Sequence, residues 1–119
     1  MFQRKFMQNI IENAWDNREL LNDSHTIQTI ENVIEGLDKG EIRVAEPKEN
    51  GEWKVNEWVK KAVILYFPTR KMETIEVGPF EFHDKIKLKT GYEDLGVRVV
   101  PHAIARHGSF VAKGVIMMP

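Results

Sequence analysis

The groups best suited to chemistry in this 119-residue chain are its four histidines and its arginines, because the chain contains no cysteine. Without thiols, a cysteine nucleophile, an iron–sulfur cluster, a cysteine-ligated zinc site and a disulfide are all excluded. His102 and His107 lie five residues apart and have no matching acidic residue, so we predict no metal site. His25 and His83 are predicted to lie on surface loops.

Three side chains near the carboxyl end are candidate binding groups. The guanidinium of Arg98 can hold a carboxylate in a bidentate fashion, although its residue type alone predicts an ion pair with a surface acid. Arg106 and His107 are expected to face solvent.

The tryptophans suggest a ligand platform, but core or intersubunit packing is the expected role, because aromatic rings supply much of a small domain's buried area. These are Trp15, Trp53 and Trp58.

Two amphipathic helices that pack as a hairpin are predicted to come first, since apolar residues recur at three- and four-residue spacing. In the first helix these are Phe6, Met7, Ile10, Ile11, Ala14 and Trp15, and in the second Ile27, Ile30, Val33, Ile34 and Leu37. Asp23 or Ser24 is predicted to cap the second helix, and Gly40 to end it.

A β-hairpin and a third helix are predicted next. The period changes to two, which indicates strands near 42–46 and 52–55 joined by an Asn-Gly turn. Asn56 is expected to cap a helix that Pro68 ends. The apolar run 62–67 leaves a buried strand open as an alternative.

The middle of the chain is less regular. Residues 72–77 are predicted to form one strand that Gly78-Pro79 ends, and residues 90–94 to form a loop. Between them, Ile86 and Leu88 alternate with lysines, which favours a segment that runs along the surface.

The last twenty residues carry a six-residue period. Ile104, Phe110 and Ile116 recur at intervals of six, and Gly108 and Gly114 follow the first two by four residues. Three such six-residue sides form one coil of a triangular parallel β-solenoid, in which the aliphatic side chain points inward and the small residue occupies a corner. A chance pattern or an ordinary strand pair is the alternative. Because one coil cannot bury its own inner face, we expect the sequence to be the front end of something larger.

Several blocks along the chain resemble a known enzyme family. Residues 8–14, 40–46, 51–53 and 58–67 carry part of the resemblance, and the run from Gly96 to Pro119 carries the most specific part. In order and spacing these blocks are similar to the N-terminal portion of the tetrahydrodipicolinate N-succinyltransferases. Residues 69–95 match poorly.

The resemblance implies an α+β fold. An N-terminal domain over residues 1–96, with a helical hairpin, a β-hairpin and a third helix, would lead into the first coil of a left-handed parallel β-helix at residues 97–119. The resemblance also implies a homotrimer with active sites between subunits. The catalytic acidic residue and most of the acyl-CoA groove are expected beyond Pro119, so this chain alone is expected to be inactive, whether it is a truncated or a naturally short product.

The implied reaction is transfer of a succinyl group from succinyl-CoA to tetrahydrodipicolinate, in bacterial synthesis of diaminopimelate and lysine. No bound cofactor is expected. By the resemblance, Arg98 matches the substrate-binding arginine of the family. Lys60 and Lys61 are candidates for CoA phosphates, but we expect them to form a solvated helix face. Asp84 and Lys85 are likewise expected in solvent rather than at a neighbour's substrate.

Composition limits the other functions. Seventeen basic and eighteen acidic residues leave a net charge of −1, which argues against a nucleic-acid partner. No apolar run approaches the roughly 20 residues of a membrane span, and the expected location is cytoplasmic. Two alternatives to the enzyme fragment stay open here, namely a module that builds the trimer and an unrelated small α+β binding domain.

Overall fold

A computed structural model describes residues 2–119. Three helices build the body of the protein: α1 (Phe2–Asp16), α2 (Ser24–Lys39) and α3 (Glu57–Tyr66), each in contact with the other two. A 3₁₀ helix at Arg18–Asn22 connects α1 to α2. The predicted helical hairpin is therefore confirmed.

The core lies between these three helices and consists mainly of the predicted apolar positions. Its buried side chains are Ile11, Ala14, Ile30, Val33, Ile34, Leu37, Ile42, Trp58, Val59, Ala62, Leu65, Tyr66 and Ile86. Phe6 departs from the predicted stripe of α1, since it is 57% exposed. Met7, the next predicted position, packs against the core, so the apolar face of α1 begins one residue later than its spacing predicts.

The ends of α2 follow the sequence signals. The side chain of Asp23 accepts a hydrogen bond from the N–H of Thr26 at 3.0 Å, so Asp23 rather than Ser24 is the cap. Gly40 ends the helix in the left-handed conformation, with φ of +78°.

The first β-hairpin forms later in the chain than predicted. Strands β1 (Ala45–Pro47) and β2 (Trp53–Val55) pair in antiparallel fashion. Ile42, predicted to open the first strand, is instead buried beneath α2, and its N–H donates to the carbonyl of Gly36 at 3.2 Å. Burial against the helix therefore takes Ile42 out of the sheet.

Asn56 occupies the predicted cap position before α3 but does not cap the helix with its side chain. Its Nδ2 donates to the carbonyl of Arg43 at 2.8 Å, and its backbone N–H donates to the carbonyl of Val44 at 2.7 Å. Asn56 thus ties α3 to the segment before β1. The strand alternative for residues 62–67 is wrong, because α3 runs to Tyr66 and Pro68 lies in a 3₁₀ turn at Phe67–Thr69.

The middle segment forms a second antiparallel hairpin, with strands β3 (Glu73–Val77) and β4 (Phe80–Asp84). The Gly78-Pro79 break predicted to end one strand is in fact the turn between two. The loop predicted at 90–94 contains a short helix, α4 (Tyr92–Leu95), so both β4 and α4 were missed by the sequence pattern.

We refer to residues 97–119 as the coil, because the strands near its two ends pair in parallel. That these residues form a hexapeptide repeat stays a prediction. Strand β5 (Arg98–Val99) pairs in parallel with β6 (Ile116–Met117), and Arg98 lies opposite Ile116, three six-residue sides later. Gly108 and Gly114 adopt φ of +105° and +89°, which suits corners that a side chain would strain.

The apolar side chains of this coil have no layer over them. Ile104, Phe110 and Ile116 are 49%, 58% and 56% exposed.

In the part of the chain that the structure describes, no helix is both long and apolar enough to cross a membrane.

The role of Asn56 is testable by substitution with aspartate, which keeps a capping acceptor but lacks the amide donor. We expect Asn56→Asp to destabilise the protein by about 1–3 kcal/mol, because a carboxylate would face the Arg43 carbonyl that is left unsatisfied. Urea unfolding followed by circular dichroism measures the change. The control is Asp23→Asn, which keeps an acceptor at a true cap. An Asn56→Asp variant with unchanged unfolding free energy would contradict the role of Asn56 as the tie between α3 and the segment before β1.

Candidate functional site at the start of the coil

An ion pair joins α2 to the segment just before α4. Lys89 Nζ lies 2.8 Å from Asp38 Oδ1, and the Lys89 side chain is only 4% exposed. The same oxygen accepts the backbone N–H of Gly108 at 2.9 Å. One carboxylate in the last turn of α2 therefore binds two separate segments of the chain.

The electrostatics of Asp38 follow from these donors. Burial by itself would raise the pKa of Asp38, but the hydrogen bond from Lys89, the N–H of Gly108 and the charges of Lys89 and His107 outweigh it and lower the pKa below its ordinary value. Asp38 is thus held as the carboxylate that buried Lys89 requires.

His107 belongs to this junction, so the expectation that it faces solvent is wrong. Its side chain is 12% exposed, with Nε2 3.2 Å from Glu35 Oε2 and Nδ1 3.4 Å from Asp38 Oδ1. The carboxylates of Glu35 and Asp38 lie one turn apart on α2, and the His107 ring lies against both.

Backbone hydrogen bonds reinforce the junction. The N–H of Lys89 donates to the carbonyl of Ala105 at 2.9 Å, and the N–H of His107 donates to the carbonyl of Lys87 at 2.8 Å. At the corner, a Cβ on Gly108 would lie 3.2 Å from the side chain of Ile34. A glycine is therefore needed at this position for close approach as well as for its backbone angle.

Arg98 lies on the exposed side of β5, where the sequence places it at the start of the coil. Its N–H donates to the carbonyl of Val115 at 3.0 Å, and the preceding residue, Val97, is buried. Within residues 2–119, no carboxylate oxygen lies within 4.0 Å of its side-chain nitrogens. The guanidinium is open to a ligand, and its substrate role stays a prediction.

Arg106 is exposed, as expected, but it is not free. Its Nη2 lies 2.6 Å from Asp84 Oδ2, and its guanidinium lies over the ring of Phe67 at 5.6 Å. The pKa of Asp84 is lowered by the backbone N–H of Lys85 and by Arg106. Asp84 thus ties the β3–β4 hairpin to the coil, which corrects the prediction that it lies free in solvent.

The candidate cations of α3 separate into two kinds. Lys60 is exposed, as predicted, whereas Lys61 Nζ lies 2.7 Å from Glu12 Oε2 and over the ring of Trp15 at 5.6 Å. The hydrogen bond from Lys61 to Glu12 raises the pKa of Lys61. Lys61 therefore joins α3 to α1 and is not part of a solvated face.

The tryptophans also differ from one another. Trp58 is 5% exposed in the core, and Trp15 packs against the core from its edge. Trp53 is 60% exposed on β2, so core packing is wrong for this residue, and packing against a second subunit stays a prediction. No group of three histidine or acidic side chains among the described residues is arranged to hold a metal ion.

Sequence reasoning missed Asp38 and Lys89 altogether. The alternation of lysines with Ile86 and Leu88 suggested a surface for Lys89, because a buried lysine has no local signature. Asp38 did offer a signal. An acid in the last turn of a helix is opposed by the helix dipole, and its presence there indicates a specific cationic partner.

Comparison with known proteins identifies a family. The family model described as tetrahydrodipicolinate N-succinyltransferase N-terminal matches residues 6–69. Similar curated proteins, each named 2,3,4,5-tetrahydropyridine-2,6-dicarboxylate N-succinyltransferase, include those of Paracidovorax citrulli (45% identical), Legionella pneumophila strain Paris (44%) and Pseudoalteromonas translucida (43%). Each alignment covers 95% of this chain. The chain spans 45%, 44% and 44% of these relatives' lengths, respectively, which is less than half.

The Asp38–Lys89 pair can be tested by a double-mutant cycle. We expect Asp38→Asn to cost about 3–5 kcal/mol of unfolding free energy, because it leaves Lys89 buried without a carboxylate. Adding Lys89→Met should recover part of that loss. Urea denaturation measures each variant, with Lys39→Met as the control in an exposed ion pair worth less than about 1 kcal/mol. Strictly additive costs would contradict direct coupling.

The lowered pKa of Asp38 predicts a pH dependence. The stabilisation from Asp38 is fully present above its unfolded pKa of about 3.9 and is lost as the pH falls through the lower folded value. The gap in unfolding free energy between the native chain and Asp38→Asn should therefore shrink between pH 7 and pH 3. Glu49→Gln, in the exposed turn of the first hairpin, controls for one lost charge. A gap that is constant over this range would exclude the linkage.

Proposed function

Because the chain belongs to the tetrahydrodipicolinate N-succinyltransferase N-terminal family, we propose that it is the N-terminal part of a succinyl-CoA-dependent N-succinyltransferase. The proposed acceptor is tetrahydrodipicolinate, in the synthesis of diaminopimelate and lysine, and the proposed location is the cytoplasm. Family membership argues against the alternative of an unrelated binding domain.

The observation that carries this proposal is the parallel pairing of β5 with β6 at an offset of three six-residue sides. A coil of this kind exposes apolar side chains on its open face until another coil is laid on it. Ile104, Phe110 and Ile116 are exposed in this way. We therefore take residues 1–96 as the N-terminal domain and residues 97–119 as the first coil of a left-handed β-helix.

The chemistry sets what the rest of the site must supply. Water adds across the C=N bond of the cyclic imine, and the ring opens to an amino ketone. A base removes a proton from its ammonium group, the free amine attacks the thioester carbon of succinyl-CoA and loses its second proton, the C–S bond breaks, and the CoA thiolate takes up a proton and leaves as the thiol. Two carboxylates of the acceptor must also be held. We propose Arg98 for one of them, because its guanidinium is exposed and unpaired within the described residues. We assign no catalytic base within this chain and expect it beyond Pro119, along with most of the CoA groove.

A role in assembly is a compatible second function. Trp53 and Val55 lie on one face of the β1–β2 hairpin and are each 60% exposed. Two large apolar side chains on a short hairpin favour contact with another subunit, and we propose a homotrimer. Light scattering measures the oligomeric state of the protein in solution, and a monomer would contradict the proposed homotrimer.

A chimeric protein tests the activity. The 119-residue chain would be joined to the part of the Paracidovorax citrulli relative that follows the matched region, and release of CoA would be followed with both substrates. We expect turnover by the chimera and none by the 119-residue chain alone. Turnover by the isolated chain would contradict the proposed division of the site, and a well-folded but inactive chimera would contradict the proposed function.

Arg98→Lys in the chimera tests the binding group. Lysine keeps the charge but not the bidentate geometry. We therefore expect kcat/KM for tetrahydrodipicolinate to fall about 10- to 150-fold, as loss of a charged hydrogen bond worth roughly 1.5–3 kcal/mol implies. Arg43→Lys, at an exposed arginine over Trp53, is the matched control. Unchanged kinetics for Arg98→Lys would remove Arg98 from the site.

A further inference from the structure

A small polar cavity lies beside the junction and does not involve Arg98. Its volume is about 200 Å³. Charged side chains of both signs dominate its lining, which consists of Glu31, Glu35, Tyr66, Arg70, Lys87 and His107. The core accounts for Tyr66 and the junction for Glu35 and His107, but neither of these nor the proposed succinyl transfer accounts for Glu31, Arg70 and Lys87.

Arg70 is the unexplained member of this lining. Its guanidinium lies over the ring of Tyr66 at 5.9 Å, and its Nε is buried without a hydrogen-bond partner among the described residues. No carboxylate oxygen within residues 2–119 lies within 4.0 Å of its nitrogens. Within residues 2–119 the guanidinium at the cavity wall therefore has no protein carboxylate, and a guanidinium is well suited to bind one in a bidentate fashion.

The negative charges at the cavity come from helix α2. Glu31 and Glu35 lie one turn apart on α2, so their carboxylates share one face of that helix. Glu35 already contacts His107 at 3.2 Å and Lys39 at 3.5 Å, whereas Glu31 makes no ion pair within residues 2–119. The cations of the cavity, Arg70 and Lys87, come from segments after α3 and after β4.

We propose that this cavity binds a small zwitterion, with its carboxylate on Arg70 and its ammonium on Glu31. A simple anion fits less well, because two carboxylates line the same space and would repel it. A simple cation would leave the Arg70 guanidinium without an acceptor. Its volume of about 200 Å³ has room for a molecule of the size of a small amino acid. This site is independent of the proposed transfer of a succinyl group.

Three matched probes test the charge requirement on the 119-residue chain. L-alanine carries both charges, propionate lacks the ammonium, and ethylamine lacks the carboxylate. Binding is followed by NMR through the Arg70 Nε–H and the His107 ring signals. We expect L-alanine to bind at least tenfold more tightly than either partial analogue. Equal affinity for L-alanine and propionate would overturn the zwitterion in favour of an anion site, and no shift at these signals would overturn the site.

Variants separate binding from folding. Arg70→Gln should lower the affinity for both L-alanine and propionate by at least tenfold, whereas Glu31→Gln should lower the affinity for L-alanine alone. A merely structural effect would lower the affinity for both probes in both variants. Arg70→Lys, which keeps the charge, should retain part of the affinity. Arg43→Gln, away from the cavity lining, is the control and should leave L-alanine binding unchanged. Undiminished binding by Arg70→Gln, in a chain with native spectral dispersion, would contradict the proposal.

Discussion

The carboxylate of Asp38 is the contact on which the arrangement of the two parts of this protein depends. It binds the buried ammonium of Lys89 and the N–H of Gly108, and His107 lies beside it. Because a charge removed from water requires a partner in good geometry, α2 and the coil can meet in very few ways. The N–H of Arg98 in turn donates to the carbonyl of Val115, which fixes β5 within the coil.

Apolar burial holds the helices together, but it does not account for the peripheral hairpins. Strands of three to five residues in isolated pairs are marginal in water, so each hairpin needs a tie to the body. Asn56 supplies one for the first hairpin, through the carbonyls of Arg43 and Val44. The Asp84–Arg106 ion pair supplies one for the second. Both ties are polar contacts between residues far apart in the chain.

Local patterns predicted the elements whose stability is itself local. The apolar stripe of α2, its Asp23 cap and its glycine end were all recognisable, because each depends on residues within one or two turns. The pattern failed at Ile42, which burial against Gly36 removed from the strand, and at Gly78-Pro79, where break and turn share the same chemistry. Of the candidate site, the sequence named only Arg98, through the resemblance, and its substrate role stays a prediction.

By itself, the sequence determined the three long helices and the family, because periodicity, capping and block order are properties of neighbouring residues. Tertiary structure alone decided which charged side chains are buried. Lys89 and Lys61 look no different from Lys60 in the sequence, yet the first two are paired with carboxylates on other elements and the third is exposed. The reason is that the partner of a buried charge is selected by three-dimensional packing, and Asp38 meets Lys89 across fifty-one positions of the chain.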